Sequence, residues 1–271
     1  MPQYLADGIG GTVGDSLTTD IGMFGISGSV MYVSSVSGSD TSGYGRNRER
    51  PVASLQYAVN QSSVGDIIVL LDDHTEQPGV TILVDKKLVI TAEGYSDGKP
   101  TASIWGNTSG SDEVLTVTGS DVEIRGVRFR PQLLANGAGN FLGWSGTRGR
   151  MVGCYFESGA FDTGPKFALS GDFFAIESTT FISISATAVP GQAFLGAAAG
   201  MSQFAMRDCV LSGGGTGWSS ANGAMYLQDT TLDVRIEGMS LLLGADIRLA
   251  SGITGYATVN VATGGGQVRS G

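Results

Sequence analysis

The chain has 271 residues, 41% hydrophobic and only 15% charged, with a net charge of −9. That acidity argues against a protein that grips a nucleic-acid backbone, no run of about 18 apolar residues offers a membrane span, and two cysteines make no disulfide framework. Forty-three glycines and seven prolines between short apolar runs predict an all-β chain of many strands and turns, enough for one large domain or two small ones.

Residues 1–31 are rich in glycine, serine and threonine, so this stretch cannot bury enough surface to fold by itself. Its beginning, MPQYLADGIGGTVGDS, has neither a basic start nor an apolar core and predicts no secretory signal. Two behaviours fit: a flexible tail, or an arm that becomes ordered on a neighbouring subunit. The apolar content of MFGISGSVMYV, Met23 to Val33, suits an edge strand and favours the arm. Residues 32–64 then read as a strand within MYVSSV, a turn-rich loop, and a short helix over 52–60. Pro51 stands at the helix start, and Leu55, Ala58 and Val59 share one face. Residues 65–271 read as strands and turns. The first strand, GDIIVLL at Gly65 to Leu71, is apolar throughout, which predicts burial on both faces.

The succession Tyr32-Val33-Ser34, Gly38-Ser39-Asp40, Pro51, Ser54-Leu55-Gln56, Ala58-Val59, Gly65-Asp66, Ile67-Ile68-Val69 resembles the opening segment of pectate-lyase-like right-handed parallel β-helix proteins. The likeness covers residues 32 to 83. Such segments are common in spikes and other virion proteins of tailed phages. The resemblance implies a single-stranded β-helix (solenoid) with a short capping helix, and trimers formed side by side. It implies little about activity.

Further along, one six-residue phrase recurs: IRGVRF at Ile124, MVGCYF at Met151, IESTTF at Ile176, MRDCVL at Met206 and IEGMSL at Ile236, with starts 27, 25, 30 and 30 residues apart. A fixed interval of this size marks a solenoid, in which each coil buries its apolar face against the next. Leucine-rich repeats share such intervals but need helical spacing in each unit, and only strand-like alternation stands between these phrases. A β-sandwich is the remaining rival. Three inward columns are predicted: Ile124, Met151, Ile176, Met206, Ile236; two places earlier Val122, Gly149, Phe174, Phe204, Val234; and Phe129, Phe156, Phe181, Leu211, Leu241. The third place, Gly126, Gly153, Ser178, Asp208, Gly238, is small where the strand must bend. Cys154 and Cys209 fall two coils apart with Thr179 between, about 9–10 Å. A disulfide needs Cα atoms within about 7 Å, so both thiols are expected to be free.

Three chemistries are weighed. Glu177 and Glu237 stand two coils apart, near the spacing of an inverting glycosidase, but Arg207 falls between them and makes a stack of alternating charge the simpler reading. LLDDHTE offers Asp72, Asp73, His74 and Glu76 for calcium or lyase chemistry, although it follows a buried strand where the chain must turn. Arg125, Arg128 and Arg130 could hold sugar carboxylates or simply form a charged outer face. Trp105, Trp144 or Trp218 could stack on sugar or serve as packing anchors. The glycine clusters lack the lysine and hydroxyl of a phosphate loop. No catalytic, metal or cofactor site is assigned. The expectation is a structural virion protein, a homotrimeric capsid decoration (cement) protein bound to the major capsid protein or another virion protein, without nucleic acid or membrane. The alternatives are a tailspike or fibre that binds or cleaves host polysaccharide, and a free polysaccharide lyase or hydrolase.

Overall fold

The computed structural model describes residues 28–106, 113–130, 141–158, 167–183, 195–197, 203–212, 225–227, 233–242, 246–249, 254–260 and 267–270. Among them are 25 strands, most of them short, and one helix. Nearly all the strands belong to a 15-stranded and an 8-stranded sheet. All pairing described in these sheets is parallel; among the described residues the only antiparallel strand pair joins Tyr95–Ser96 to Lys99–Pro100. The fold is therefore all-β with parallel sheets.

From residue 67 the chain visits three runs of strands in rotation. The first run contains Ile67–Leu70, Val89–Ala92, Glu123–Arg125, Arg150–Val152, Phe174–Glu177 and Gln203–Arg207. The second contains Thr75–Glu76, Ser103–Trp105, Arg128–Arg130, Tyr155–Ser158, Thr180–Ser183 and Val210–Ser212. The 8-stranded sheet is the third, beginning with Ile82–Val84, Leu115–Val117, Leu142–Trp144 and Phe167–Leu169. The long strand Asp233–Leu242 continues both the first run and the second.

The register follows the phrase. Ile124 pairs with Met151, Met151 with Ile176, Ile176 with Met206, and Met206 with Ile236. The aromatic column pairs in the same way, Phe129–Phe156–Phe181–Leu211–Leu241. Phe129, Phe156 and Phe181 are fully buried. Their rings stack at 4.7 and 4.8 Å between centroids, which is the spacing of adjacent strands, so backbone pairing and ring stacking share one repeat. In the earlier column Phe174 pairs with Phe204 and Phe204 with Val234. Gly149 leaves room there for a neighbour: a Cβ at that place would lie 2.5 Å from Trp144 Nε1 and 2.6 Å from the Phe174 ring. A fourth buried column, Val127, Cys154, Thr179 and Cys209, extends the core beyond the three expected.

The bend at the third place is made by left-handed backbone: φ is 58° at Gly126, 60° at Gly153, 48° at Ser178 and 52° at Asp208. A second left-handed corner stands three residues before each of the first three phrases, at Asp121 (57°), Arg148 (55°) and Phe173 (58°). Residues such as Asp tolerate this conformation better than Phe does.

At the amino end, Val30–Val33 pairs in register with the chain's own Ile67–Leu70, so the docking strand begins inside the stretch counted as an arm; residues 1–27 lie outside the described residues. Ile67, Ile68, Val69 and Leu70 are all buried, in two separate hydrophobic clusters, as a strand apolar on both faces requires. The helix spans Leu55–Gln61 rather than 52–60. Val52 is taken by a bridge to Val33. Asp40 holds the next turn open, accepting from Ala53 N–H (2.8 Å), Ser54 N–H (3.1 Å) and the Ser54 hydroxyl (2.7 Å). Ser54 is therefore the N-cap, accepting from Tyr57 N–H, while Leu55, Ala58 and Val59 are buried as expected.

Candidate functional site

The residues LLDDHTE do not converge on a site. Asp72 and Asp73 are exposed, whereas His74 is fully buried. His74 Nε2 lies 3.1 Å from Glu76 Oε2, and the same oxygen accepts from Leu55 N–H at 2.9 Å. Glu76 thus closes the first turn of the helix and fixes the imidazole. His74 Nδ1 is buried with no hydrogen-bond partner among the described residues. Among the described residues no group of three or more His, Cys, Asp or Glu is placed to hold a metal ion.

The outward side of the first run carries alternating charge. Arg125 pairs with Glu123. Arg150 reaches Glu123 at 3.6 Å and Glu177 at 2.7 Å. In register, Arg207 stands between Glu177 and Glu237, so the two carboxylate positions proposed for inverting hydrolysis are separated by a guanidinium position. Opposite charges placed directly across strands stabilise one another.

On the same side, Ala175 and Ala205 are paired in register and form the floor of a groove of about 320 Å³, walled by Phe173, Gln203 and Arg207. Phe173 is 51% exposed while its backbone is held left-handed.

The outward side of the second run differs. Glu157, 9% exposed, meets three cations: Arg128, Arg130 at 3.3 Å and Lys99 at 3.3 Å. Arg128 binds it through both Nε and Nη2. The Arg130 guanidinium lies 3.8 Å from the centre of the Trp105 ring, and Lys99 lies 5.1 Å from that of Tyr155. Trp105 Nε1–H is tied to Ser103 Oγ at 2.9 Å. Burial pushes the Glu157 carboxyl up, but the Arg128 hydrogen bond and charge, with Lys99, outweigh it and hold the group below the ordinary carboxylate range. Burial, and then the Arg128 charge, hold Arg130 below the usual guanidinium value.

Of the expected residues, the structure gathers Arg128 and Arg130 at this cluster and sends Arg125 to the neighbouring run. Trp105 lies beneath Arg130. Trp144 is 1% exposed and is a packing anchor out of reach of any sugar; Trp218 lies outside the described residues. Sequence reasoning missed Lys99 and Glu157. Glu157 stands one rung from Arg130 on the outward side, so applying the register beyond the phrase finds it. Lys99 arrives on a hairpin inserted between rungs, and nothing in the repeat announces it. Both cysteines are free and buried, and burial pushes each thiol up to about 12. In comparisons with family models, curated proteins and solved structures, the chain matches none.

Proposed function

We propose that the chain is a right-handed parallel β-helix acting as a structural virion protein of a tailed phage: a homotrimeric decoration (cement) protein seated on the major capsid protein or another virion protein. The observation that carries this reading is the rotation of the chain through three parallel runs with its phrase in register. On this reading the repeat gives a stiff rod built from short strands, and along the first run outward charges pair with one another. The residues that resemble phage β-helix openings do structural work at the start of the stack. Val33 bridges to Val52, Asp40 and Ser54 set the helix, and Asp66 ties Ser29, Ser63 and Arg46 together. The test is to mix the purified chain with phage particles that lack it. Stoichiometric binding, with raised resistance of the particle to heat, supports the reading; failure to bind particles of any kind removes it.

A second reading, a spike that binds host polysaccharide, is favoured by the groove beside Phe173. A glycan array with a reducing-sugar assay separates the two. Retention of a defined oligosaccharide, lost in Phe173→Ala, supports the spike.

A further inference from the structure

The cluster around Glu157 is unbalanced. Among the described residues Lys99, Arg128 and Arg130 share this one carboxylate, on a chain whose net charge is −9. Glu157 is not the outermost group: its side chain is 9% exposed, against 22% for Arg128, 30% for Arg130 and 36% for Lys99. The acid therefore sits beneath the cations and holds them in place. Arg128 spends Nε and Nη2 on Glu157. Arg130 brings its Nε to 3.3 Å from the same acid, and its guanidinium lies over the Trp105 ring. Lys99 gives one of its protons. Lys99 and Arg130 are the most exposed members of the cluster, and a guanidinium and an ammonium that share one acid are donors that a further carboxylate can accept from.

The geometry points to a second carboxylate at this place, an Asp or Glu side chain brought by another copy of the chain. Two features favour a protein acid over a uronic sugar. Arg130 and Lys99 each already cover a face of the adjacent ring, so the aromatics serve the cations. The chain is itself rich in carboxylates, with 25 Asp and Glu against 16 Lys and Arg. Copies of so acidic a chain repel one another, and a local excess of positive charge decides where they meet. This assignment rests on the trimeric reading above and names the face on which the copies join.

The test is sedimentation velocity of the full chain in about 50 and about 500 mM NaCl, salts that differ several-fold in screening length. Lys99→Gln, on the exposed hairpin, and Arg130→Gln are run beside the unsubstituted chain, with thermal melts to confirm folding. The expected result is an oligomer that weakens at high salt and is about tenfold weaker in either folded variant at low salt. An oligomer indifferent to salt and to both variants overturns the assignment, as does a chain that stays monomeric. Titration with glucuronate and acetate completes it: equal, weak competition by both agrees with a carboxylate site, whereas glucuronate binding at least about tenfold tighter gives the site to a saccharide. Salt-sensitive association without binding to particles removes only the virion reading; binding to particles without it removes only this one.

Discussion

Phe156 is the most informative single residue to truncate. It is 1% exposed, with Phe129 stacked at 4.7 Å on one side and Phe181 at 4.8 Å on the other. Replacing a buried Phe by Ala costs about 3–5 kcal/mol in lost transfer energy and residual cavity. Each ring pair is worth about 0.5–1.5 kcal/mol beyond its area. Both neighbours here are held by paired strands, so the site cannot collapse. Phe156→Ala is therefore expected near the upper end, about 4–5 kcal/mol, a large share of the roughly 5–15 kcal/mol that holds a typical domain. Urea denaturation followed by circular dichroism measures it. Phe181→Ala is expected to cost less when Phe156 is already Ala, by about 0.5–1.5 kcal/mol, because the shared stack is then gone. A loss below about 1.5 kcal/mol for Phe156→Ala, with strict additivity in the pair, would refute an aromatic column built on the strand repeat.

Asp66→Ala removes the acceptor for Ser29 N–H (2.8 Å), Ser63 N–H (3.0 Å) and Arg46 (3.0 Å), and is expected to cost about 2–4 kcal/mol in a urea melt. Burial pushes this carboxyl up, but the Ser63 and Ser29 amides and Arg46 hold it below its ordinary value. Its contribution is therefore full above the unfolded carboxylate pKa, about 3.9, and is lost as pH falls through the lower folded value; the difference between wild type and Asp66→Ala should shrink in acid, and a constant difference contradicts the assignment. Phe173→Asn should leave stability unchanged or raise it by up to about 1 kcal/mol, since Asn tolerates φ near 58°; a loss above that size shows that the ring packs. Cys154 and Cys209, buried and raised to about 12, should resist a thiol reagent at neutral pH in the native state and both react in urea; prompt native labelling of either would place it outside the core.

The phrase was legible because Ile, Met, Phe and Leu recur at places whose inward direction is forced by strand alternation. The fourth inward column escaped notice because Val127, Cys154, Thr179 and Cys209 look mixed in polarity, although all are small enough for a corner. Gly149 keeps its place in the column, but its missing side chain leaves room for Trp144, which the third run brings; no local pattern carries that contact. The helix start was misplaced because Pro51 and Val52 suit a first turn, whereas the carboxylate of Asp40, distant in sequence, decides it. At the candidate site, Arg128 and Arg130 were visible as a charged pair. Their partners were not, because Glu157 needs the register and Lys99 needs the hairpin. Phe173 went unnoticed because exposure at a left-handed corner leaves no trace in hydrophobic periodicity.

The claim beneath all of this is that successive rungs lie directly over one another. Methyl NMR of the full chain labelled at Ile and Met tests it with least inference. Ile176 pairs with Met151 on one side and Met206 on the other, so its δ1 methyl should show nuclear Overhauser contacts to the ε methyls of both. Assigned spectra in which Ile176 contacts neither methionine would contradict the stacked register and the function argued from it.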